Sequence, residues 1–221
     1  MTTVNLHYTM NYSQPEEYRF SHDSVFLARF VFEWIQKNPS VSYLTMADFC
    51  SGCGVIGLDF MIHLDQHKLK LPASVDFIDI QDKYKDHFDV NQIEFRQIVQ
   101  DSPELNFRNQ NYSEIWGNES LSCKYDLIIC NPPYFSLGQG KLSPSEFKNR
   151  CRFFIDSDFK TLLKSIQYSL QVHGVGFILL RSLKDHKIEY DLKALSDEFK
   201  LELQIVGDVR GTDILRVLKN F

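Results

Sequence analysis

The chain has 221 residues with a net charge of -5, and 43% of its residues are hydrophobic. This length suffices for one complete α/β domain and is too short for a catalytic domain plus a large recognition domain. The negative charge excludes a basic field over the whole surface. No apolar stretch approaches the roughly 20 residues that span a bilayer, and the N-terminus lacks the apolar core of a signal peptide. Five scattered cysteines, an odd number, fit a reducing compartment. We therefore expect a cytoplasmic, monomeric protein with no membrane partner.

The first predicted element is an amphipathic helix over residues 23–36, which ends near Pro39. Its inward residues at helical spacing are Phe26, Leu27, Phe30, Val31 and Trp34. No linker or internal repeat follows. We expect one domain over residues 1–221, in which residues 1–40 form a helical lead-in and residues 41–221 form the cofactor-binding and catalytic core.

A glycine-rich loop follows the first predicted strand, residues 43–47, and leads into a helix that includes residues 58–62. It contains G-x-G-x-x-G at Gly52, Gly54 and Gly57, where the missing β-carbons allow a ligand to approach the backbone closely. The pattern suits nicotinamide, flavin and S-adenosylmethionine (SAM) sites alike, and it also occurs in a plain tight turn. Asp48 favours SAM, because a carboxylate there would repel a pyrophosphate but suits an α-ammonium and a sulfonium, directly or through water.

The second predicted strand, residues 74–80, carries Asp79 near its end, where an acidic residue can accept both hydroxyls of a ribose. Helix capping and plain solvation are the simpler explanations for this residue. A helix over residues 83–97, a short strand over 105–107 and a polar loop are predicted next.

The fourth predicted strand, residues 125–130, ends in Asn131, Pro132, Pro133 and Tyr134. The Asn131 side-chain carbonyl and the Pro132 backbone carbonyl can both accept from one exocyclic amine, and the Tyr134 ring can stack on the group that carries it. The prolines stiffen the loop and remove two N–H donors. The alternative is a proline-terminated strand followed by a turn.

A long irregular segment, residues 135–145, follows this motif, and long loops inside compact domains are usually functional or mobile. Basic residues cluster in and after it, against Glu146 alone: Lys141, Lys148, Arg150 and Arg152. They suit contact with a phosphate backbone, and the alternative is an ordinary solvated loop.

The remaining elements predicted are a helix over residues 159–171, a strand over 175–180, a helix over 190–199, and strands over 201–206 and 214–218. The last two form a hairpin, so the final strand must run against the others. We therefore predict a mixed seven-stranded sheet with the last strand antiparallel and helices on both faces.

No metal site is predicted. Cys50 and Cys53 form a C-x-x-C, but no second such pair follows, and loop positions explain both better than a zinc or redox site. His63 and His67 lie four apart on a helix, and a solvated helix face explains them better than chelation.

These motifs together resemble the class I SAM-dependent methyltransferases that methylate amino groups of adenine, cytosine or glutamine, with a Rossmann-like α/β fold. The segment containing Arg19-Phe20-Ser21-His22-Asp23 is similar to the R-F-S-x-D segment of the bacterial tRNA adenine-N6 methyltransferases acting beside the anticodon of valine tRNA. The resemblance implies SAM as cofactor, tRNA as partner and adenine N6 as target.

The residue arguments above and the resemblance together assign the site residues. The catalytic residues are Asn131, Pro132, Pro133 and Tyr134. The cofactor residues are Ser21, Asp23, Asp48, Cys50, Gly52, Gly54, Asp79, Ile80, Asn111 and Asn131. The substrate residues are Tyr134, Phe135, Lys148, Arg150 and Arg152. Where the family commonly has an acid after the third strand to hold the cofactor adenine, this chain has the uncharged Asn111.

Four alternatives stay open. A protein-glutamine methyltransferase uses the same N-P-P-Y motif but normally has an extra helical domain ahead of the cofactor fold. A DNA adenine methyltransferase normally has an inserted recognition domain, and another rRNA adenine target is also compatible. A catalytically inactive fold that serves as a binding module is disfavoured by the intact Asp48, Gly52, Asp79 and Asn131.

Overall fold

The structure is a computed structural model that describes residues 8–181 and 191–220. The elements of its N-terminal half are α1 (His22–Lys37), β1 (Thr45–Phe49), α2 (Val55–Gln66), β2 (Ser74–Asp79), α3 (Tyr84–Ile98), β3 (Glu104–Asn109) and β4 (Tyr125–Cys130). Two short 3₁₀ turns, Tyr112–Glu114 and Glu119–Leu121, lie between β3 and β4. The later elements are β5 (Phe135–Ser136), α4 (Glu146–Arg152), β6 (Phe153–Phe154), α5 (Phe159–Ser169), β7 (Leu170–Arg181), α6 (Leu192–Phe199), β8 (Glu202–Val209) and β9 (Thr212–Leu218).

Seven strands form one mixed sheet in the order β3-β2-β1-β4-β7-β9-β8. The pairs β1–β2, β1–β4, β2–β3 and β4–β7 are parallel, whereas β9 is antiparallel to both β7 and β8. The predicted seven-stranded sheet with an antiparallel last strand is confirmed, and the hairpin geometry explains it, because β8 and β9 are joined by a tight turn at Arg210 and Gly211.

Apolar side chains cover both faces of this sheet. Along β4, Leu127 and Ile129 join the core cluster that contains α1, α2 and α3, while Ile128 and Cys130 join the cluster that contains α5 and α6. This alternation follows from the two-residue period of a strand. The predicted layer of helices on each face is therefore confirmed.

The boundary between α5 and β7 differs from the prediction. The helix predicted over residues 159–171 ends at Ser169, and β7 begins at Leu170, five residues before the predicted strand start. Leu170 pairs with Tyr125 of β4, and the pairing is interrupted before Leu127 pairs with Val175. The pairing of Leu170 with β4 therefore sets the end of the helix, although the helical periodicity of the local sequence continues to residue 171. Of the helix predicted over residues 190–199, residue 190 lies outside the described residues.

The interpretation of His63 as part of a solvated face is wrong. Every residue from Val55 to Leu64 is buried, because α2 lies between the sheet and α1, and the His63 ring stacks on Phe32 with centroids 5.4 Å apart. His67, one turn later, is exposed. Within residues 8–181 and 191–220, no group of three or more His, Cys, Asp or Glu side chains could hold a metal ion. None of the described helices is long and apolar enough to cross a membrane.

Candidate active site

A cleft opens at the carboxyl ends of β1, β2 and β4, where ligands bind in open α/β sheets. The segments that line it come from the glycine loop, the ends of β2 and β3, the loop after β4 and the segment ahead of α1. The predicted site residues that line it are Ser21, Cys50, Gly52, Asp79, Ile80, Asn111, Asn131, Pro132, Pro133, Tyr134 and Arg150. The predicted site residues outside its lining are Asp23, Asp48, Gly54, Phe135, Lys148 and Arg152.

Two glycines of the loop are required by close packing beneath it. Gly54 has φ +85°, and a β-carbon there would lie 2.8 Å from Cδ2 of Phe88. A β-carbon on Gly57 would lie 2.6 Å from Cε1 of Phe77. The missing side chain at Gly54 thus allows close packing against α3, and the missing side chain at Gly57 allows α2 to approach β2.

Asp48 lies beneath the glycine loop and is fully buried. Its Oδ2 accepts a 2.9 Å hydrogen bond from the N–H of Gly57, while Oδ1 has no partner among the described residues. Burial raises the pKa of the Asp48 carboxyl to about 8. The Asp48 carboxyl group thus supports the loop from below, and a role toward a cofactor through water stays a prediction.

Asp79 reaches into the cleft from the end of β2. Its Oδ2 accepts from the N–H of Gly52 at 2.8 Å, and its Oδ1 accepts from the N–H of Gln81 at 2.9 Å. Burial raises the pKa of the Asp79 carboxyl to about 6. Each oxygen keeps further acceptor capacity, and the role of Asp79 toward the ribose hydroxyls stays a prediction.

Asn111 follows β3 and lines the cleft. Its Oδ1 already caps a 3₁₀ turn by accepting from the N–H of Ser113 at 2.9 Å, and its Nδ2 donates to the Asp156 carbonyl at 3.3 Å. The side chain therefore joins the wall after β3 to the segment after β6. Its assignment to the cofactor adenine stays a prediction.

Asn131 and Tyr134 are in direct contact. The Tyr134 hydroxyl donates to Oδ1 of Asn131 at 2.6 Å, and Nδ2 of Asn131 donates to Oγ of Ser24 at 3.1 Å. The N–H of Tyr134 donates to the Arg152 carbonyl at 3.1 Å. The N-P-P-Y loop is thus held on one side by α1 and on the other by the end of α4.

The N-terminal segment contributes more to the cleft than the sequence indicated. Ser21 occupies the N-cap position of α1 without a side-chain capping bond, and it lines the cleft together with Gln14, Tyr18, Phe20 and Ser24. The similarity of the R-F-S-x-D segment to known enzymes was the available signal for this region. Asp23 lies instead beside Arg210, with 3.8 Å between Oδ1 and Nη1.

Asn91 of α3 fastens the N-terminal segment beside the glycine loop. Its side chain accepts from the N–H of Ser13 at 2.6 Å and donates to the carbonyls of Ser13 at 3.0 Å and Cys53 at 2.9 Å. Nothing in the local sequence distinguishes this asparagine, because its partners lie 38 and 78 residues away.

The basic residues after the cleft have different environments. Arg150 is engaged by two carboxylates, with Nε 3.0 Å from Asp156 and Nη2 3.1 Å from Glu146. The Arg152 guanidinium lies over the rings of Phe135 and Phe153, 5.8 and 5.4 Å from their centroids.

Lys148, in the first half of α4, is half-buried, and its backbone N–H donates to Oγ of Ser145 at 3.2 Å. Lys141 is exposed on the preceding loop. The four basic residues therefore differ in how freely their charges could contact a phosphate backbone.

Both cysteines of the C-x-x-C line the cleft. Cys50 is in hydrogen-bond contact with Cys130, and Cys53 is 3% exposed. Burial raises the pKa of the Cys53 thiol to about 12. All five cysteines are free thiols.

The residues present fit an adenosyl cofactor with a positive charge. Asp79 offers two oriented carboxylate oxygens, and the buried Oδ1 of Asp48 and Oγ of Ser51 lack partners among the described residues. Buried polar atoms without partners are uncommon in native proteins. A bound ligand, or water held with it, would supply hydrogen-bond partners for these two atoms.

No protein-family model matches the chain, and no curated protein matches its sequence. Its fold is similar to solved methyltransferases. Magnesium protoporphyrin IX methyltransferase from Synechocystis PCC 6803, with bound SAM, aligns at 15% identity and a TM-score of 0.54, covering 89% of this chain and 82% of that one. A provisionally assigned RNA methyltransferase from Pyrococcus horikoshii aligns at 14% identity and a TM-score of 0.55, covering 96% and 93%.

Precorrin-6y C5,15-methyltransferase from Geobacter metallireducens GS-15 aligns at 8% identity and a TM-score of 0.54, covering 94% of this chain and 95% of that one. At such identities the likeness concerns the fold alone. The chain has the Rossmann-like methyltransferase fold, with the strand order given above.

Proposed function

We propose that the protein is a SAM-dependent methyltransferase that methylates an exocyclic amine, most specifically N6 of an adenine near the anticodon of a tRNA. Residues 1–221 act as one catalytic domain in this proposal. The observation that carries it is that Asn131 of the N-P-P-Y loop lines the same cleft as Asp79 and the glycine loop. An acceptor for an amine thus lies beside the residues suited to an adenosyl cofactor.

The cofactor is held by the glycine loop and the ends of β2 and β3. Asp79 receives the ribose hydroxyls, while Gly52 and Gly54 allow close approach of the backbone. Ser21, Cys50, Ile80 and Asn111 complete the wall, and Asp48 acts from beneath the loop. When bound, SAM supplies an electrophilic methyl group.

The target amine is received by Oδ1 of Asn131 and the carbonyl of Pro132. An aromatic amine is nearly planar, because its lone pair is delocalised into the ring. Hydrogen bonds to two acceptors on one side favour a pyramidal and more nucleophilic nitrogen. Catalysis by this chain is therefore positioning and electrostatic stabilisation.

A base in a stacked tRNA loop must leave the stack to reach this cleft. The ring of Tyr134, with Phe135 nearby, replaces the stacking that the extruded base gives up. The two proline rings keep the loop stiff, so its acceptors do not have to be ordered when the base arrives.

Two observations support tRNA among the amine substrates. The segment with Arg19, Ser21 and Asp23 is similar to tRNA adenine-N6 methyltransferases, and its Ser21 lines the cleft. Basic residues including Lys148 and Arg152 follow the N-P-P-Y loop on α4, where a phosphate backbone would pass.

The test offers methyl-labelled SAM in parallel with total tRNA, duplex DNA and a release-factor-like protein carrying a glutamine. Label in tRNA, recovered as N6-methyladenosine by nucleoside mass spectrometry, is the expected result. Label only in the protein would indicate a protein-glutamine methyltransferase. Label only in the DNA would indicate a DNA adenine methyltransferase. Absence of SAM binding by calorimetry would reject the methyltransferase assignment itself.

A further inference from the structure

Ser24 joins helix α1 to the N-P-P-Y loop. It lies in the first turn of α1, is 4% exposed and lines the cleft. Its Oγ accepts from Nδ2 of Asn131 at 3.1 Å, although the two residues are 107 positions apart in the chain. The fold alone brings this hydroxyl to the asparagine.

The contact engages the amino end of the Asn131 amide, while Tyr134 engages the other end. Nδ2 donates to Ser24, and Oδ1 accepts from the Tyr134 hydroxyl at 2.6 Å. With a hydroxyl partner at each end the plane of the amide is held, and Nδ2 lies toward Ser24 while Oδ1 lies toward Tyr134. The carbonyl end points toward Tyr134, which also lines the cleft.

The direction of the amide matters because its two ends have nearly the same shape and opposite hydrogen-bonding roles. A carbonyl accepts from an incoming amine, whereas an amide NH2 presents two donors to a group that itself donates. An asparagine turned by 180° would oppose the target amine. By accepting from Nδ2, the Ser24 hydroxyl holds the amino end of the amide at α1 and leaves the carbonyl end available.

We propose that Ser24 is a positioning residue for methyl transfer, which holds the Asn131 amide with its carbonyl toward the target amine. The inference rests on the proposed function, because it assigns the amine to Asn131. It gives a second residue of α1, beyond the predicted cofactor residue Asp23, a part in the chemistry. Because Ser24 acts through the Asn131 amide and not on the cofactor, its removal should lower the rate of methyl transfer without changing the affinity for SAM.

The experiment compares three variants: Ser24→Ala, Asn131→Ala and the double variant. It measures their single-turnover rates of methyl transfer to the substrate that takes up label in the parallel assay of tRNA, DNA and protein. Ser24→Ala should lower kcat roughly tenfold, as expected for one hydrogen bond, with Kd for SAM within about twofold of wild type. In the Asn131→Ala background, Ser24→Ala should cause no further loss, because there is no amide left to orient. Ser24→Thr, which retains a hydroxyl, should restore most of the rate.

A matched control is Ser169→Ala on α5. Ser169 is also fully buried in a helix and makes one hydrogen bond, to the carbonyl of Ser165 at 2.7 Å. Its removal should lower Tm without lowering kcat. If Ser24→Ala does not fold, Ser24→Cys keeps a similar volume and only a weak acceptor, so it should lower kcat by less than tenfold, and this loss should again disappear in the Asn131→Ala background.

Two results would overturn the inference alone: an inactive Asn131→Ala beside a Ser24→Ala variant with wild-type kcat, or an equal fold-loss from Ser24→Ala in both backgrounds. The second result would assign Ser24 a purely structural role. Full activity of Asn131→Ala would overturn the inference together with the amine contact on which it rests.

Discussion

The Tyr134 hydroxyl donates a 2.6 Å hydrogen bond to Oδ1 of Asn131, the oxygen that we assign to the target amine. A carbonyl oxygen can accept two hydrogen bonds, so the amine can either join this contact or replace it. The tyrosine thus connects stacking on the base with the acceptor that receives its amine.

Asn131→Ala should retain SAM affinity and reduce methyl transfer by about 10²-fold, the scale for removing one oriented catalytic hydrogen-bonding group. Tyr134→Ala should also be severely impaired, because the stacking ring is removed. Tyr134→Phe keeps the ring and should stay within about tenfold of wild type. Calorimetry and single-turnover rates separate the two effects. A wild-type rate for Asn131→Ala would show that the amine is received elsewhere.

The affinity for SAM should fall as the pH drops below about 6. Asp79 has its pKa raised to about 6 by burial, and its carboxylate form is the stronger acceptor for ribose hydroxyls. Protonation on the acidic side of this value therefore weakens binding. Calorimetric Kd values between pH 5 and 8 measure the effect. Asp79→Asn should bind SAM more weakly with a flatter pH profile, and NAD should not bind to either protein.

Asp48→Asn should make the free energy of unfolding less dependent on pH. The pKa of Asp48 is raised to about 8 in the folded protein, so the folded state retains a proton that the unfolded state loses near pH 4. Stability from this group is complete below the unfolded pKa and is lost as the pH rises toward and through about 8. Urea titrations at several pH values should show Asp48→Asn gaining on wild type as pH rises. If the free energy of unfolding changed with pH in the same way in Asp48→Asn and wild type, this prediction would be contradicted.

Gly57→Ala should destabilise the fold by about 1–3 kcal/mol through overpacking. The new β-carbon would lie 2.6 Å from Cε1 of Phe77 and 3.3 Å from Oδ2 of Asp48. Urea unfolding measures the change. Adding Phe77→Leu removes the ring that clashes, so the double variant should lose less than the sum of the two single changes. Strict additivity would show that the strain lies elsewhere.

Neutralising Lys148, Arg150 and Arg152 together should raise KM for tRNA and reduce the slope of log affinity against log salt by roughly one unit for each phosphate that the protein no longer neutralises. SAM binding should not change. Single variants refine this, because Arg150 is ion-paired with Asp156 and Glu146 while Arg152 lies over two rings. Lys148→Gln should therefore have a larger effect on the salt slope than Arg150→Gln. The reverse order would indicate that RNA displaces the carboxylates.

The class of fold was determined by local sequence patterns. Alternating apolar runs, the glycine loop after β1 and the C-terminal hairpin predict a mixed sheet with an antiparallel last strand, because strand period, turn chemistry and hairpin direction are local properties. The places of Asp79 and Asn131 in the fold could also be predicted from the local sequence. Each comes at the carboxyl end of a strand, and parallel strands place those ends at one edge.

Contacts across the chain were decided only by the tertiary structure. His63 is buried because α1 covers α2, and Arg150 is ion-paired because Asp156 folds back beside α4. Ser24 reaches Asn131 across 107 positions, and Asn91 joins two loops that no pattern relates. Such pairings depend on which surfaces pack together, and packing is a property of the whole core rather than of any window of sequence. The sequence therefore predicts where the cleft lies and which groups flank it, while the folded chain determines how each group is held.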